Sequence, residues 1–296
     1  MHIHDILSAT RGTTAFSFEF FPPRTPAAVK TLQTTLDHLA PLRPAFASVT
    51  YGAGGSTREL TQSLVTELRQ SDVFDPIPHL TCVGHSESDI MALLTRYAAA
   101  GVSNILALRG DPPSGGTGSG DFAHAADLVC FIRQFNERGL HPDPRGFGIG
   151  VACFPEGHPA TPNRMTEMDH LKAKVDAGAD WLCTQAFFDN HDFHDFRARC
   201  ALAGIHTPIL AGILPLTTAS GMQRMAALAG GMRYPARLIR ALNRAKDDPE
   251  AFRRIALHHA AEQCTDLLDH QADGIHLYTL NQAQPVLEIH ARLGLR

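Results

Sequence analysis

The chain has 296 residues, 44% of them hydrophobic, which is enough for two average domains or one large α/β domain. Its formal net charge of −4, without a basic run, argues against nucleic-acid binding, and no apolar run approaches the roughly 18 residues of a membrane span. Six scattered cysteines without a Cys-X-X-Cys pair, and an N-terminus unlike a signal peptide, predict reduced thiols and a cytoplasmic location.

The first regular segment is a buried strand that ends at Pro22-Pro23, since neither proline can donate to a strand ladder. Four phenylalanines fall within residues 16–21, and the carboxyl group of Glu19 interrupts them. A carboxylate is costly to bury unless it is paired or used. Glu19 is therefore either a general acid or a structural residue paired with a cation such as Arg24.

Short apolar runs alternate with helical patterns along the rest of the chain. The predicted strands are Ala15–Phe20, Ala45–Tyr51, Pro78–Val83, Asn104–Leu108, Gly146–Cys153, Asp180–Gln185, Pro208–Ile213 and Gly274–Thr279. Helical stripes separate them, and the material after the seventh strand is longer. The later predicted helices are Thr217–Leu228, Pro235–Leu242, Pro249–Leu268 and Ala283–Arg292.

This alternation predicts a (β/α)8 TIM barrel, with extra helices after strand seven, as one catalytic domain over residues 1–296. The strands are solid apolar runs, as a parallel sheet covered by helices requires. Gly101, Gly178 and Gly204 each follow a helical stripe, as helix C-caps do. The alternative is an open doubly wound sheet, but its glycine-rich phosphate fingerprint is missing after the first strand.

Active sites of such barrels lie at the carboxyl ends of the strands, so polar residues there are candidates. Arg109-Gly110-Asp111 follows the fourth strand and offers an anion-binding guanidinium, a close backbone approach and a carboxylate acceptor. A local Arg–Asp pair in a turn is the alternative.

Three further patterns are weak. The glycine-rich segment 114–120 lacks the Gly-Lys-Ser/Thr ending of a phosphate loop and is interpreted as a flexible loop. His191 and His194 have metal-ligand spacing on a helix, but the neighbouring sequence does not complete a set. Lys172 and Lys174 fit a solvated helix face. The sequence therefore predicts no metal site.

Nine segments in order resemble the methylenetetrahydrofolate reductase family, in its bacterial, FAD-dependent form. The resemblance runs from about residue 15 to the C-terminus, without the extra C-terminal regulatory domain of the eukaryotic enzymes. The matching segments are Ser17–Arg24, Ser48–Ala53, Pro78–Cys82, Ala107–Asp111, Phe154–Pro159, Leu171–Ala179, Thr184-Gln185, Gly212–Pro215 and Leu277–Asn281.

The resemblance implies reduction of 5,10-methylenetetrahydrofolate to 5-methyltetrahydrofolate in one-carbon metabolism, with hydride passed from NADH or NADPH through FAD. Glu19 matches the general acid that protonates the folate and opens its five-membered ring. Asp111 matches a catalytic carboxylate near the flavin and the pterin. The FAD positions correspond to Thr50, His79, Arg109, Gly110, Asp111, Ala125, Phe154, His158, Glu167, His170 and Lys174. The substrate positions correspond to Glu19, Asp111, Gln185, Met225 and Gln282.

Several positions depart from the family pattern, mostly on the face shared by folate and nicotinamide. Ala186 and Met225 stand where relatives have Phe, and Gly221 stands where they have Gln. Gln282 replaces an Arg, and His124, away from that face, replaces a Tyr. FAD binding is therefore a firmer expectation than the identity of the electron donor.

Two other functions stay open: a flavin-free, pterin-dependent methyltransferase on the same barrel, and a flavin- or folate-binding module without turnover. The retained Glu19 and Asp111 argue against the module. The resemblance also implies a small-molecule folate partner and a homo-oligomer.

Overall fold

The computed structural model describes residues 1–9, 14–52, 57–111, 120–228 and 232–295. Within them, eight parallel strands pair in chain order, and the last pairs with the first to close a barrel. The strands are β1 (Ala15–Phe20), β2 (Ala47–Val49), β3 (Pro76–Thr81), β4 (Asn104–Leu108), β5 (Gly148–Cys153), β6 (Trp181–Thr184), β7 (Ile209–Ile213) and β8 (Gly274–Tyr278).

The helices form the outer layer, with one helix at the N-terminus. They are α1 (Ile3–Ala9), α2 (Pro26–Leu39), α3 (Arg58–Ser71), α4 (Glu87–Ala99), α5 (Ala125–Glu137), α6 (Arg164–Asp176), α7 (Asn190–Leu202), α8 (Ala219–Leu228), α9 (Ala236–Arg244), α10 (Pro249–Asp269) and α11 (Ala283–Arg292). The (β/α)8 prediction is confirmed, and among the described residues three helices, α8, α9 and α10, follow β7 where the barrel needs one. No helix in the described ranges is long and apolar enough to cross a membrane.

Successive side chains of a strand point to opposite faces, and β1 shows how the barrel uses this alternation. Phe18 and Phe20 are buried in the large core between the sheet and the helices. Ala15 belongs to a second apolar cluster inside the barrel. Ser17 and Glu19 share the face of Ala15, so β1 directs two polar side chains into the barrel above its apolar floor.

The apolar floor is completed by α1, which the sequence analysis did not predict. Ile3 and Leu7 of α1 pack in one cluster with Phe46, which directly precedes β2, and with Trp181 of β6. A seven-residue helix is too short to be stable alone, so its stability comes from this packing rather than from a recognisable pattern. The floor leaves the opposite, carboxyl end of the barrel as the place for a site.

The predicted strand limits differ from the observed ones by up to two residues. Residues 45–46 and 50–51 lie outside β2, whereas β3 begins earlier than predicted, at Pro76. A proline is tolerated as the first residue of a strand because its missing N–H is not yet needed by the ladder. The expected glycine caps are observed, since Gly101, Gly178 and Gly204 all have positive φ.

Candidate active site at the carboxyl rim of the barrel

Glu19 lies inside the barrel mouth, between two histidines. Its Oε2 atom is 3.4 Å from His79 Nε2 on β3 and 3.8 Å from His276 Nε2 on β8. The Glu19 side chain keeps 19% exposure, whereas that of His276 keeps 1%. The carboxyl group therefore contacts histidines on its inner side and is open on its outer side, through which a proton can reach a ligand.

A small hydrogen-bond network holds His276 below Glu19. The His276 ring contacts Ser17 Oγ at 2.8 Å through Nδ1 and Ser48 Oγ at 3.1 Å through Nε2. Phe46 stacks on the same ring, with centroids 5.5 Å apart. Both ring nitrogens thus have hydroxyl partners, which orient the imidazole against Glu19.

The sequence analysis did not single out Ser17, Ser48 or His276 as site residues. A signal was present, because Ser17 stands two residues before Glu19 and so shares its face of the strand. The strand register completes the arrangement, since Glu19 lies opposite Ser48 on one side and Tyr278 on the other. These pairings join distant parts of the chain and are not visible in local sequence.

Burial lowers the pKa of His79, with Glu19 opposing the shift and His276 adding to it. The unfolded chain therefore takes up a proton at this residue at higher pH than the folded protein does. The resulting stability is present above the unfolded value of 6.5 and is lost as the pH falls towards the folded pKa.

Acidification from pH 7.5 to 5.5 is expected to lower the free energy of unfolding, and His79→Gln should reduce that slope. One proton changes the slope by at most about 1.4 kcal/mol per pH unit. Denaturant titrations at several pH values measure it, with His206→Gln as the control because that side chain is exposed. An unchanged slope in His79→Gln would contradict the expectation.

One wall of the mouth is built around Thr184 at the end of β6. Tyr278 donates its hydroxyl hydrogen to the Thr184 carbonyl at 2.6 Å, and Gly212 donates its N–H to Thr184 Oγ1 at 2.8 Å. Burial raises the pKa of Tyr278 well above its ordinary value, so the phenol stays protonated. The wall fixes the point from which Gln185, the next residue and a predicted substrate contact, leaves the barrel.

The Arg109-Gly110-Asp111 segment follows β4 at the same rim. The Arg109 carbonyl accepts from Val83 N–H at 2.9 Å, while the Arg109 and Asp111 side chains are exposed. Gly110 has φ +82°, and a Cβ there would lie 2.8 Å from Thr81 Cβ. Glycine thus permits both the left-handed backbone and the close approach to β3.

Gly110→Ala is expected to lower the free energy of unfolding by more than the about 1–2 kcal/mol of left-handed strain. Gly139→Ala is the matched control, because Gly139 has φ +65° and nothing within 4 Å of its would-be Cβ. Denaturant titration of both variants separates the contact from the strain. If both variants lose the same free energy of unfolding, the contact of the added methyl group with Thr81 is not destabilising.

Thr50 and the end of β5 add further candidate positions around the rim. Thr50 is half-buried and donates its N–H to the Phe20 carbonyl at 2.9 Å. The rings of Phe154 and His158 meet edge to face with centroids 4.7 Å apart. His158 donates its backbone N–H to Glu167 Oε1 at 2.9 Å, which ties this loop to α6.

Two candidate FAD positions, His170 and Lys174, lie on α6 in the helical layer. Lys174 Nζ donates to the Ala152 carbonyl at 2.5 Å, and burial lowers its pKa, with Cys153 and Glu167 opposing. The interpretation of Lys174 as a solvated residue is therefore wrong, since its amine lies against β5. The His170 ring stacks near that of His124, which precedes Ala125 at the start of α5, with centroids 6.1 Å apart.

The three other candidate substrate residues lie on separate elements. Gln185 is exposed, Met225 on α8 packs half-buried against the cluster containing Phe188, and Gln282 is the exposed N-cap of α11. Within the described ranges, no hydrogen bond or ion pair joins any of them to Glu19. Ala53, Pro112-Pro113 and residues 114–119 of the glycine-rich segment lie outside the described residues.

Comparison with known proteins assigns this chain to a family. The model of the methylenetetrahydrofolate reductase family matches residues 2–294. The chain belongs to the methylenetetrahydrofolate reductase family. The 5,10-methylenetetrahydrofolate reductase of Escherichia coli K12 is 34% identical over 99% of this chain and 95% of its own length.

A plant member of the reductase family is also similar to this chain. Methylenetetrahydrofolate reductase (NADH) 1 of Arabidopsis thaliana is 40% identical over 96% of this chain but only 49% of its own length. The chain thus spans about half of the plant relatives and nearly all of the bacterial ones.

Among solved structures, a Clostridium thermocellum protein described as binding two copies of 5-methyl-5,6,7,8-tetrahydrofolic acid has a TM-score of 0.66. It is 14% identical and matches 99% of this chain and 96% of its own. At that identity the likeness supports the barrel fold alone.

Proposed function

We propose that this protein reduces 5,10-methylenetetrahydrofolate to 5-methyltetrahydrofolate with FAD as its bound cofactor. The observation that carries the proposal is the Glu19 carboxyl at the barrel mouth, 3.4 Å from His79 and 3.8 Å from His276. The name of the bacterial relatives supports the reaction.

Glu19 would act as the general acid on the folate. Protonation of a ring nitrogen lets its bond to the bridging methylene break, which opens the five-membered ring to an iminium. The two histidines and the apolar floor keep the carboxyl aimed at the mouth, since Ser17 and Ser48 hold His276 in place. The proton is thus given up on the open side of Glu19.

The rim residues fit a flavin dinucleotide. Thr81 Oγ1 is buried there without a hydrogen-bond partner among the described residues, and Gly110 lets the backbone after β4 approach Thr81 closely. The exposed Arg109 guanidinium suits a pyrophosphate, and the Phe154 ring suits a flat heterocycle. The residues proposed to hold FAD are Thr50, His79, Arg109, Gly110, Asp111, Ala125, Phe154, His158, Glu167, His170 and Lys174. Bound FAD would supply the hydride that reduces the methylene carbon.

Asp111, Gln185, Met225 and Gln282 are proposed to complete the folate side. A flexible, half-buried Met225 offers a softer surface than an aromatic ring would, which suits adaptable packing on the pterin or nicotinamide. We propose NADH as the donor, in keeping with the name of the Arabidopsis relative. A cytoplasmic homo-oligomer is part of the same proposal.

The absorbance spectrum of the purified protein is the first test, because bound FAD makes it yellow. An anaerobic titration with NADH, and separately with NADPH, then measures flavin bleaching. Addition of 5,10-methylenetetrahydrofolate to the bleached protein should restore the oxidised spectrum and yield 5-methyltetrahydrofolate. A colourless protein that cannot be loaded with FAD but binds folate would favour the methyltransferase instead.

A further inference from the structure

A cluster of two histidines and one aspartate joins α7 to α10 in the outer helical layer. His194 Nε2 on α7 lies 2.8 Å from Asp266 Oδ2 on α10, and His270 Nδ1 lies 3.2 Å from Asp266 Oδ1. The rings of His194 and His270 are 4.5 Å apart between centroids. Each of the three side chains offers one possible ligand atom, and these three atoms lie within 4.8 Å of one another.

We propose that His194, Asp266 and His270 form a binding site for a divalent transition-metal ion, with Zn²⁺ as the ion to test. Two imidazoles and a carboxylate are ligands that zinc accepts, and three protein ligands leave a position for water. Ligand atoms at the usual zinc distances lie about 3.2–3.6 Å apart in a tetrahedron. The separations of Asp266 from His194 and His270, 2.8 and 3.2 Å, are near that range, and all three ligand atoms lie within 4.8 Å of one another.

The spacing on α10 explains how one helix supplies two ligands. Asp266 and His270 are one turn apart and therefore lie on the same helix face. His270 directly follows the last residue of α10, where the negative end of the helix dipole favours a cation. His194 reaches the same point from α7, although it is distant in sequence.

A second layer of hydrogen bonds orients the carboxylate. Asn190 Nδ2 donates to Asp266 Oδ2 at 2.7 Å, and Gln263 Nε2 donates to Asn190 Oδ1 at 3.0 Å. Such outer partners are a regular feature of metal sites because they hold the ligands in one orientation. Arg197 also donates to the His270 carbonyl at 3.1 Å and so anchors the end of α10.

An ion could enter this site directly from solvent. The side chains of His194, Asp266 and His270 retain 29%, 40% and 57% of their exposure. Sequence spacing had suggested His194 with His191, three residues away, and offered no third ligand. The neighbours of His194 come instead from α10, which is distant in sequence, so the sequence analysis predicted no metal site.

Equilibrium dialysis of the 296-residue protein, with any cofactor that it carries, against Zn²⁺ tests the site. Wild type is expected to bind one Zn²⁺ ion per chain. His270→Ala and His194→Ala each remove a ligand, so each should weaken Zn²⁺ binding more than the loss of Asn190, which only orients Asp266. Asn190→Ala should weaken it by about 10–100-fold, as expected for an outer-shell partner. The matched control is His258→Ala, because His258 and Glu262 form an exposed pair one turn apart on α10 without a histidine from α7.

Thermal unfolding gives a second readout. Zn²⁺ should raise the midpoint of wild type and of His258→Ala, and EDTA should reverse the rise, because the ion links two helices only in the folded state. The two ligand variants should show no rise. Binding that is absent in wild type, or equally strong in all variants, would overturn the proposal, and circular dichroism at 20 °C confirms that each variant is folded.

Discussion

Glu19→Gln is expected to lower the rate of folate reduction by about 10²–10⁴-fold while FAD stays bound. Glutamine preserves the size of the side chain and its place between His79 and His276, but it has no proton of suitable acidity to transfer. Only the rate of the step that opens the folate ring should fall. The reaction between NADH and the flavin needs no such proton and should keep its rate.

Rapid mixing measures the two half-reactions separately. NADH is mixed with the oxidised variant in one experiment, and 5,10-methylenetetrahydrofolate with the reduced variant in the other. Glu59→Gln is the control, because Glu59 is an exposed residue in the first turn of α3. Unchanged turnover in Glu19→Gln would remove this carboxyl from the mechanism, and loss of FAD would assign it a structural role.

Gly150→Ala is expected to destabilise the barrel by about 1–3 kcal/mol. Gly150 lies on β5 opposite Trp181 in the strand register, and a Cβ there would overlap the indole ring. Trp181 is 1% exposed and packs in the apolar floor with Phe46, so the added methyl group would push against a packed ring. An added methyl group must therefore displace the floor on which His276 and Glu19 rest.

A double-mutant cycle with Trp181→Phe isolates this contact. In the Trp181→Phe background, the smaller ring should remove most of the destabilisation caused by Gly150→Ala. Denaturant titrations should therefore give an interaction energy of about 0.5–3 kcal/mol between the two substitutions. Gly221→Ala is the control, because its Cβ would meet no aromatic ring and only the Thr218 hydroxyl, which accepts the Gly221 N–H at 3.0 Å. Strict additivity of the two substitutions in the floor would contradict this account.

Most of the barrel could be predicted because each strand can be recognised from its own stretch of sequence. A strand that is buried on the helix side and ends at a glycine or proline, such as Ala15–Phe20 before Pro22, can be recognised without knowing its neighbours in the sheet. The same applies to Arg109-Gly110-Asp111, since its place after an apolar run assigns it to the carboxyl rim. The helix α1 could not be predicted, because its stability depends on the barrel floor.

The sequence by itself determined the order of strands and helices, the rim to which the polar residues belong, and the candidate acid Glu19. Only the tertiary structure decided which side chains meet: Ser17, Ser48 and His276 around Glu19, and His194 with Asp266 and His270 between two helices. The physical reason is that backbone periodicity follows from neighbouring residues. Contacts across a closed barrel instead depend on strand register and helix packing, which join residues far apart in the chain.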